Sequence, residues 1–302
     1  MVTSPRIGCL GEVMLELVVG AGPTAELGVA GDTYNTSVYL AHAGVDVEYI
    51  TVLGTDGFSD RIRAHMSDYG VGAAKCFTHP TRIPGLYAIE TDAVGERSFT
   101  YWRSASAARC LGNADLPALA VSLEGLTHLF YSGISLAILP QENRDRLFAA
   151  IDEFRASGGV VAFDSNYRPH LWNDPALAAR ETERAWKHCD IALPSIDDEM
   201  AIFGDVSEAE LLTRFRSYGI TQGALKRGEK GPIGFGGAEL VRAPEVVRPV
   251  DTTAAGDSFN AAFLASFTRG EATETALEAG HTLAAEVILH RGAIIFSAEV
   301  NP

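Results

Sequence analysis

Residues 128–163 read HLFYSGISLAILPQENRDRLFAAIDEFRASGGVVAF. An apolar run at 128–131 leads into an amphipathic stretch at 141–156, and a second apolar run follows at 159–163. Short apolar runs bounded by turn or helix signals are strands buried on both faces, and helical spacing between them marks a helix that covers a sheet. The same rhythm extends outward in both directions. It predicts further strands at 48–53, 190–193 and 223–226, and further helices at 33–43, 176–187 and 255–268. Strands alternating with helices predict an α/β fold with a doubly wound, mainly parallel sheet. The 302 residues are expected to form one domain.

Two segments break this rhythm. In 85–103, two strand-like runs flank the hairpin-like sequence DAVGER at 92–97. Period-two spacing puts Phe99, Tyr101 and Arg103 on one face and Ser98, Thr100 and Trp102 on the other. Residues 12–19 alternate likewise around Met14, Glu16 and Val18. Together, about 12–32 and 84–104 are expected to form a small antiparallel β lid over the C-terminal ends of the parallel strands, where open α/β sheets bind ligands. A β extension that packs against a neighbouring subunit is the other reading, and with it comes the expectation of a homo-oligomer, a dimer through the lid included.

Composition narrows the function. The chain is 47% hydrophobic and 21% charged, enough apolar material for a full core. Its 39 acidic and 24 basic side chains give a net charge of −15, a field that repels nucleic acid and anionic lipid. Cys9, Cys76, Cys110 and Cys189 stand far apart without C-x-x-C spacing, against a disulfide framework or a zinc site. No apolar run reaches 18 residues and no apolar segment follows a basic start, so no membrane partner and a cytoplasmic location are expected.

The chemistry is concentrated in DTTAAGDSFN, residues 251–260, which opens the helix pattern AAFLASF. Ala254, Ala255 and Gly256 leave their backbone amides unobstructed at a helix N-terminus, where free N–H groups and the macrodipole favour an anion. Asp257 sits inside this positive end. An Asp there commonly serves as a helix cap, so the local sequence leaves capping and catalysis both open.

From end to end the chain resembles the ribokinase-type (PfkB) carbohydrate kinases. DTTAAGD is similar to that family's D-T-x-G-A-G-D signature, with Ala254 in place of the first Gly, and residues 30–35, AGDTYN, are similar to its G-G-x-x-x-N phrase. Within the family the likeness is to bacterial 2-keto-3-deoxygluconate kinases. It is carried by GEVMLEL from Gly11, GDTYNTSVYLA from Gly31, PGLYAIETD from Pro84, GERSFTYWR from Gly95, YSGISLAIL from Tyr131, FDSNYRPHLW from Phe163 and RGAII from Arg291.

The resemblance implies a ribokinase-like fold and transfer of the γ-phosphoryl group of ATP to O6 of a sugar acid, giving 2-keto-3-deoxy-6-phosphogluconate. It implies Asp257 as general base beside an anion hole of Ala254, Ala255 and Gly256. Gly31 and Asn35 are expected to meet sugar hydroxyls, with Tyr87, Tyr101, Arg103 and Arg168 around the acid end. An arginine fork suits a carboxylate, but Arg103 could equally pair with acids of the lid, and the two tyrosines could be lid packing. For ATP the matching residues are Asn166, Ser195, Lys226, Gly228, Gly231 and Gly256. The segment KRGEKG, 226–231, also reads as a charged turn. The family's N-x-x-E phrase departs here to Ser195-Ile196-Asp197-Asp198, followed by Glu199, so Mg²⁺ is expected to involve Asp198 or Glu199 through water. Rival readings are a related kinase acting on 2-ketogluconate, fructose or a nucleoside, and a ligand-sensing member without turnover. A dinucleotide oxidoreductase or a P-loop kinase is disfavoured, because neither glycine fingerprint occurs.

Overall fold

The structure is a computed structural model that describes residues 4–20, 24–91, 97–240 and 248–296. The strands among these residues are β1 (Arg6–Leu10), β2 (Met14–Val19), β3 (Ala25–Ala30), β4 (Asp46–Leu53), β5 (Cys76–Thr78) and β6 (Gly85–Thr91). They continue with β7 (Arg97–Trp102), β8 (His128–Ser132), β9 (Val160–Asp164), β10 (Ile191–Ala192), β11 (Ala224–Leu225) and β12 (Ile233–Gly234). The helices are α1 (Asp32–His42), α2 (Gly57–Asp68), α3 (Leu119–Leu123), α4 (Gly133–Ile138) and α5 (Gln141–Ala156). After them come α6 (Pro175–Lys187), α7 (Ile196–Phe203), α8 (Glu208–Ser217), α9 (Ala255–Phe267) and α10 (Thr273–Val287). The elements expected from periodicity all form, each within two residues of the expected bounds.

The large sheet runs in the order β10-β9-β8-β1-β4-β5, and every neighbouring pair is parallel. Parallel bridges Ala192↔Gly223 and Ser195↔Lys226 bring β11 alongside β10. Along β1 and β4 successive residues enter opposite cores. Ile7, Cys9, Val47 and Tyr49 belong to one apolar cluster, and Leu10, Ile50 and Val52 to the other, so helices cover both faces. The central strand β1 was not expected from the sequence. Its five residues include Gly8, where a Cβ would stand 2.5 Å from Leu126 Cδ1 and 2.9 Å from Ile50 Cδ1. The glycine that weakens the strand signal lets the Leu126 and Ile50 side chains close over β1.

The lid is a separate sheet in the order β3-β2-β6-β7. The β2/β3 and β6/β7 pairs are antiparallel, but β2 and β6 are parallel, in register Met14↔Gly85. The expected small antiparallel lid is therefore present as its own sheet, with one parallel pair, β2 and β6, joining its two antiparallel hairpin pairs. Tyr87↔Tyr101 and Ile89↔Phe99 are cross-strand partners, as the alternation requires. Of the hairpin expected at 92–97, residues 92–96 lie outside the described residues, and Arg97 begins β7. The chain order reverses between β1 and β8, and the lid faces the carboxyl ends of these strands, the usual position of an α/β ligand site. No helix among the described residues is long and apolar enough to cross a membrane.

Candidate active site

A cleft of about 1020 Å³ opens between the lid and the large sheet. Its floor is the start of α9. Ala254 stands at the N-cap in the left-handed region, φ 60°, without a side-chain cap. That conformation is unfavourable for a residue with a Cβ, and it turns the chain into the helix at the cleft lining. Ala255 N–H donates back to Thr252 O at 3.3 Å. Gly256 and Asp257 follow in the first turn, where an α-helix provides no carbonyl four residues back. A Cβ on Gly256 would stand 3.7 Å from Lys226 Nζ, so the helix start and that ammonium face each other across an open gap.

Asp257 is half-buried on this floor. Asn35 Nδ2 of α1 donates to its Oδ2 at 2.8 Å, and Gly31 N–H donates to Asn35 Oδ1 at 3.3 Å, so the packing of α1 on α9 holds the carboxylate in place. Its pKa is raised to about 8, first by burial, then by repulsion from Asp32 and Asp164, against the lowering effect of Asn35 and Lys226. A partly buried carboxylate poised near neutral pH is suited to taking a proton from a hydroxyl.

Asp32, not singled out in the sequence, is the second carboxylate of the cleft. Its Oδ2 accepts from Ser132 Oγ and from Asn166 Nδ2, the latter at 3.1 Å, and burial raises its pKa. Asn166 itself takes a left-handed backbone, φ 30°. Asp164, also unmarked in the sequence, ends β9 and accepts from Lys226 Nζ and Asn260 Nδ2, each at 2.6 Å, fixing the ammonium beside α9. Both aspartates stood inside phrases quoted above. Their partners are distant in sequence, which hides the role.

Most expected site residues line this one cleft: Gly31, Asn35, Tyr87, Tyr101, Arg103 and Arg168 toward the lid, and Asn166, Ser195, Asp198, Lys226 and Gly228 toward the loops of the large sheet. Three assignments change. Arg103 is not a surface group; its Nε donates to Glu12 Oε2 at 2.8 Å, its Nη2 bonds the same oxygen, and the pair is buried. Glu199 turns into the core, where Arg214 Nη2 donates to it at 2.9 Å and burial raises its pKa to about 7; it does not line the cleft. Gly231 likewise stands off the cleft lining, its carbonyl accepting from Arg227 Nε at 2.9 Å to shape the 228–230 turn. Tyr87 donates to Glu16 and stands 5.7 Å, centroid to centroid, from Tyr101, giving the lid an aromatic inner face.

The profile of the pfkB family carbohydrate kinases matches residues 7–300. The chain belongs to this family. The pfkB kinase is 39% identical over 302 residues to the 2-dehydro-3-deoxygluconokinase of Escherichia coli (strain K12), covering 97% of each chain. Its fold matches the crystal structure of a Thermotoga maritima 2-dehydro-3-deoxygluconokinase with a TM-score of 0.84 at 21% identity, over 98% of this chain and 97% of that one. An E. coli putative ribokinase II in complex with ATP and Mg²⁺ gives 0.83 at 23% identity, over 96% and 94%. The architecture is ribokinase-like, and the enzyme is a carbohydrate kinase.

Among the described residues no three His, Cys, Asp or Glu side chains gather into a metal cage. Asp198 lines the cleft, its Oδ2 accepting from Ser195 Oγ at 2.8 Å and Tyr167 N–H at 3.1 Å. This sparse donor set is compatible with a Mg²⁺ ion that keeps water and rides on phosphates.

Proposed function

We propose that this kinase phosphorylates 2-keto-3-deoxygluconate at O6 with ATP, giving 2-keto-3-deoxy-6-phosphogluconate. The observation that carries the reading is the half-buried Asp257, held by Asn35 in the first turn of α9 on the cleft floor. The acid acceptor is favoured by the relatedness to the E. coli 2-dehydro-3-deoxygluconokinase and by Arg168, which reaches into the lid side of the cleft.

In this mechanism the acceptor lies between the lid and α1, with its carboxylate toward Arg168 and its hydroxyls toward Gly31 and Asn35. The nucleotide lies along the loops after β10 and β11, near Ser195, Lys226 and Gly228, with its γ-phosphate toward Gly256. Asp257 takes the hydroxyl proton as the oxygen attacks phosphorus and the bond to ADP breaks. The amides of Gly256 and Asp257 and the Lys226 ammonium stabilise charge on the transferring group. Mg²⁺, when bound on the phosphates, adds neutralising charge, and Asp198 is the residue to hold it. The lid excludes water, which limits loss of the phosphoryl group to hydrolysis.

ADP release with ATP and Mg²⁺, measured across 2-keto-3-deoxygluconate, its C4 epimer, 2-ketogluconate and fructose, tests the reading. The highest kcat/KM should fall on a keto-deoxy acid, with the phosphate on O6 of the product. Preference for fructose, or no turnover with any acceptor, would overturn it.

A further inference from the structure

The cations around the cleft are unequal once their partners are counted. Arg103 is matched by Glu12, Lys226 by Asp164 and Arg227 by Glu208. Arg168 is more open: its side chain is 47% exposed, Nη1 donates to the Tyr167 carbonyl at 2.9 Å, and Asp198 stands 4.0 Å away. Beyond Pro169, His170 lines the same cleft. Its ring stacks on Tyr101 of β7, with centroids 5.5 Å apart and planes 28° apart. No described protein group hydrogen-bonds its two ring nitrogens, and the residue is exposed, so a polar ring lines the cleft open to a ligand.

We infer that His170 is a specificity-determining residue of the acceptor site, where its imidazole joins Arg168 in receiving the carboxylate of a sugar-acid acceptor. The inference rests on the sugar-acid reading of the substrate. It replaces Arg103, whose charge is already spent on Glu12, as the second contact. The groups that face the ring are Arg168 on its own turn and Tyr101 and Arg103 from the lid; α4, which packs on that turn, carries no titratable residue. Burial and the two guanidiniums lower the imidazole pKa, so the ring of the free enzyme is neutral at pH 8. An arriving carboxylate favours the imidazolium, and the contact strengthens toward pH 6.

Calorimetric binding of 2-keto-3-deoxygluconate to the full chain, for wild type, His170→Gln and His170→Arg at pH 6 and pH 8, tests this. His170→Gln should weaken binding roughly tenfold at pH 6, the scale of one charge-assisted contact, and less at pH 8. His170→Arg, charged at both pH values, should bind at pH 8 at least as tightly as wild type, with an unchanged Tm in both variants. Equal affinities of wild type and His170→Gln at pH 6 overturn the inference, as does a loss that is the same at both pH values and is not recovered by Arg. If wild type binds and phosphorylates the acid while His170→Gln is unaffected, this inference alone falls. If wild type does not bind the acid, the functional reading falls and takes the inference with it.

Discussion

Asp257 combines two properties that one substitution separates. Its carboxyl titrates near pH 8 in the folded protein, whereas an Asp in an unfolded chain titrates near 3.9. A pKa raised on folding contributes stability that is complete below about pH 4 and is lost as pH climbs through about 8. Asn at this position is neutral throughout and keeps an oxygen for the Asn35 amide. The Tm of Asp257→Asn minus that of wild type should therefore grow between pH 5 and pH 8. Over the same range kcat should fall by about 10² to 10⁴, since the variant cannot accept a proton. Wild-type kcat/KM should rise toward pH 8 as the base ionises. A variant with near-normal kcat would show that Asp257 serves only as a structural partner of Asn35, and a pH-independent Tm difference would show that its pKa is not raised.

The lid is joined to the large sheet by Arg103, which follows β7, and Glu12, which stands between β1 and β2. Arg103→Ala leaves Glu12 buried and unpaired, which should cost about 3 to 5 kcal/mol of stability. Adding Glu12→Gln should restore part of that loss. Arg168→Ala should leave the Tm alone and raise the acceptor KM roughly tenfold. Equal Tm losses in the two arginine variants would refute this division of roles. The sequence alone treated the arginines as a pair, because alternation along β7 reveals the face of Arg103 but not the carboxylate that meets it there. Elements were more legible than contacts. The helix at 141–156 has sixteen residues of one clear periodicity, and it forms with those bounds. Asp32, by contrast, takes its partners from 100 and 134 residues away, and no local pattern marks it. Glu199 was misread for a related reason: adjacent residues on a helix point to different faces, so Asp198 reaches the cleft while Glu199 meets Arg214.

For the whole molecule, ligands that bridge the lid and the large sheet should report themselves as stability. ATP with Mg²⁺, or the acceptor, at about 100 times its Kd should add about 2.7 kcal/mol, seen as a higher Tm. Removal of divalent metal by EDTA should abolish turnover and reduce the nucleotide part of this gain while sparing the acceptor part. No shift with either ligand would argue against the cleft as the binding site. The strand order of the large sheet also has a consequence in time. β1 leaves the ribosome before both strands that flank it, and β4 can cover one of its edges early. Its other edge belongs to β8, and the contact of Arg6 with Thr127 spans 121 residues. At ordinary synthesis rates of about 5 to 20 residues per second, that edge waits roughly 6 to 24 s for its partner. An exposed strand edge is a template for wrong pairing, so the nascent chain passes through an interval in which the centre of the future sheet has one edge open.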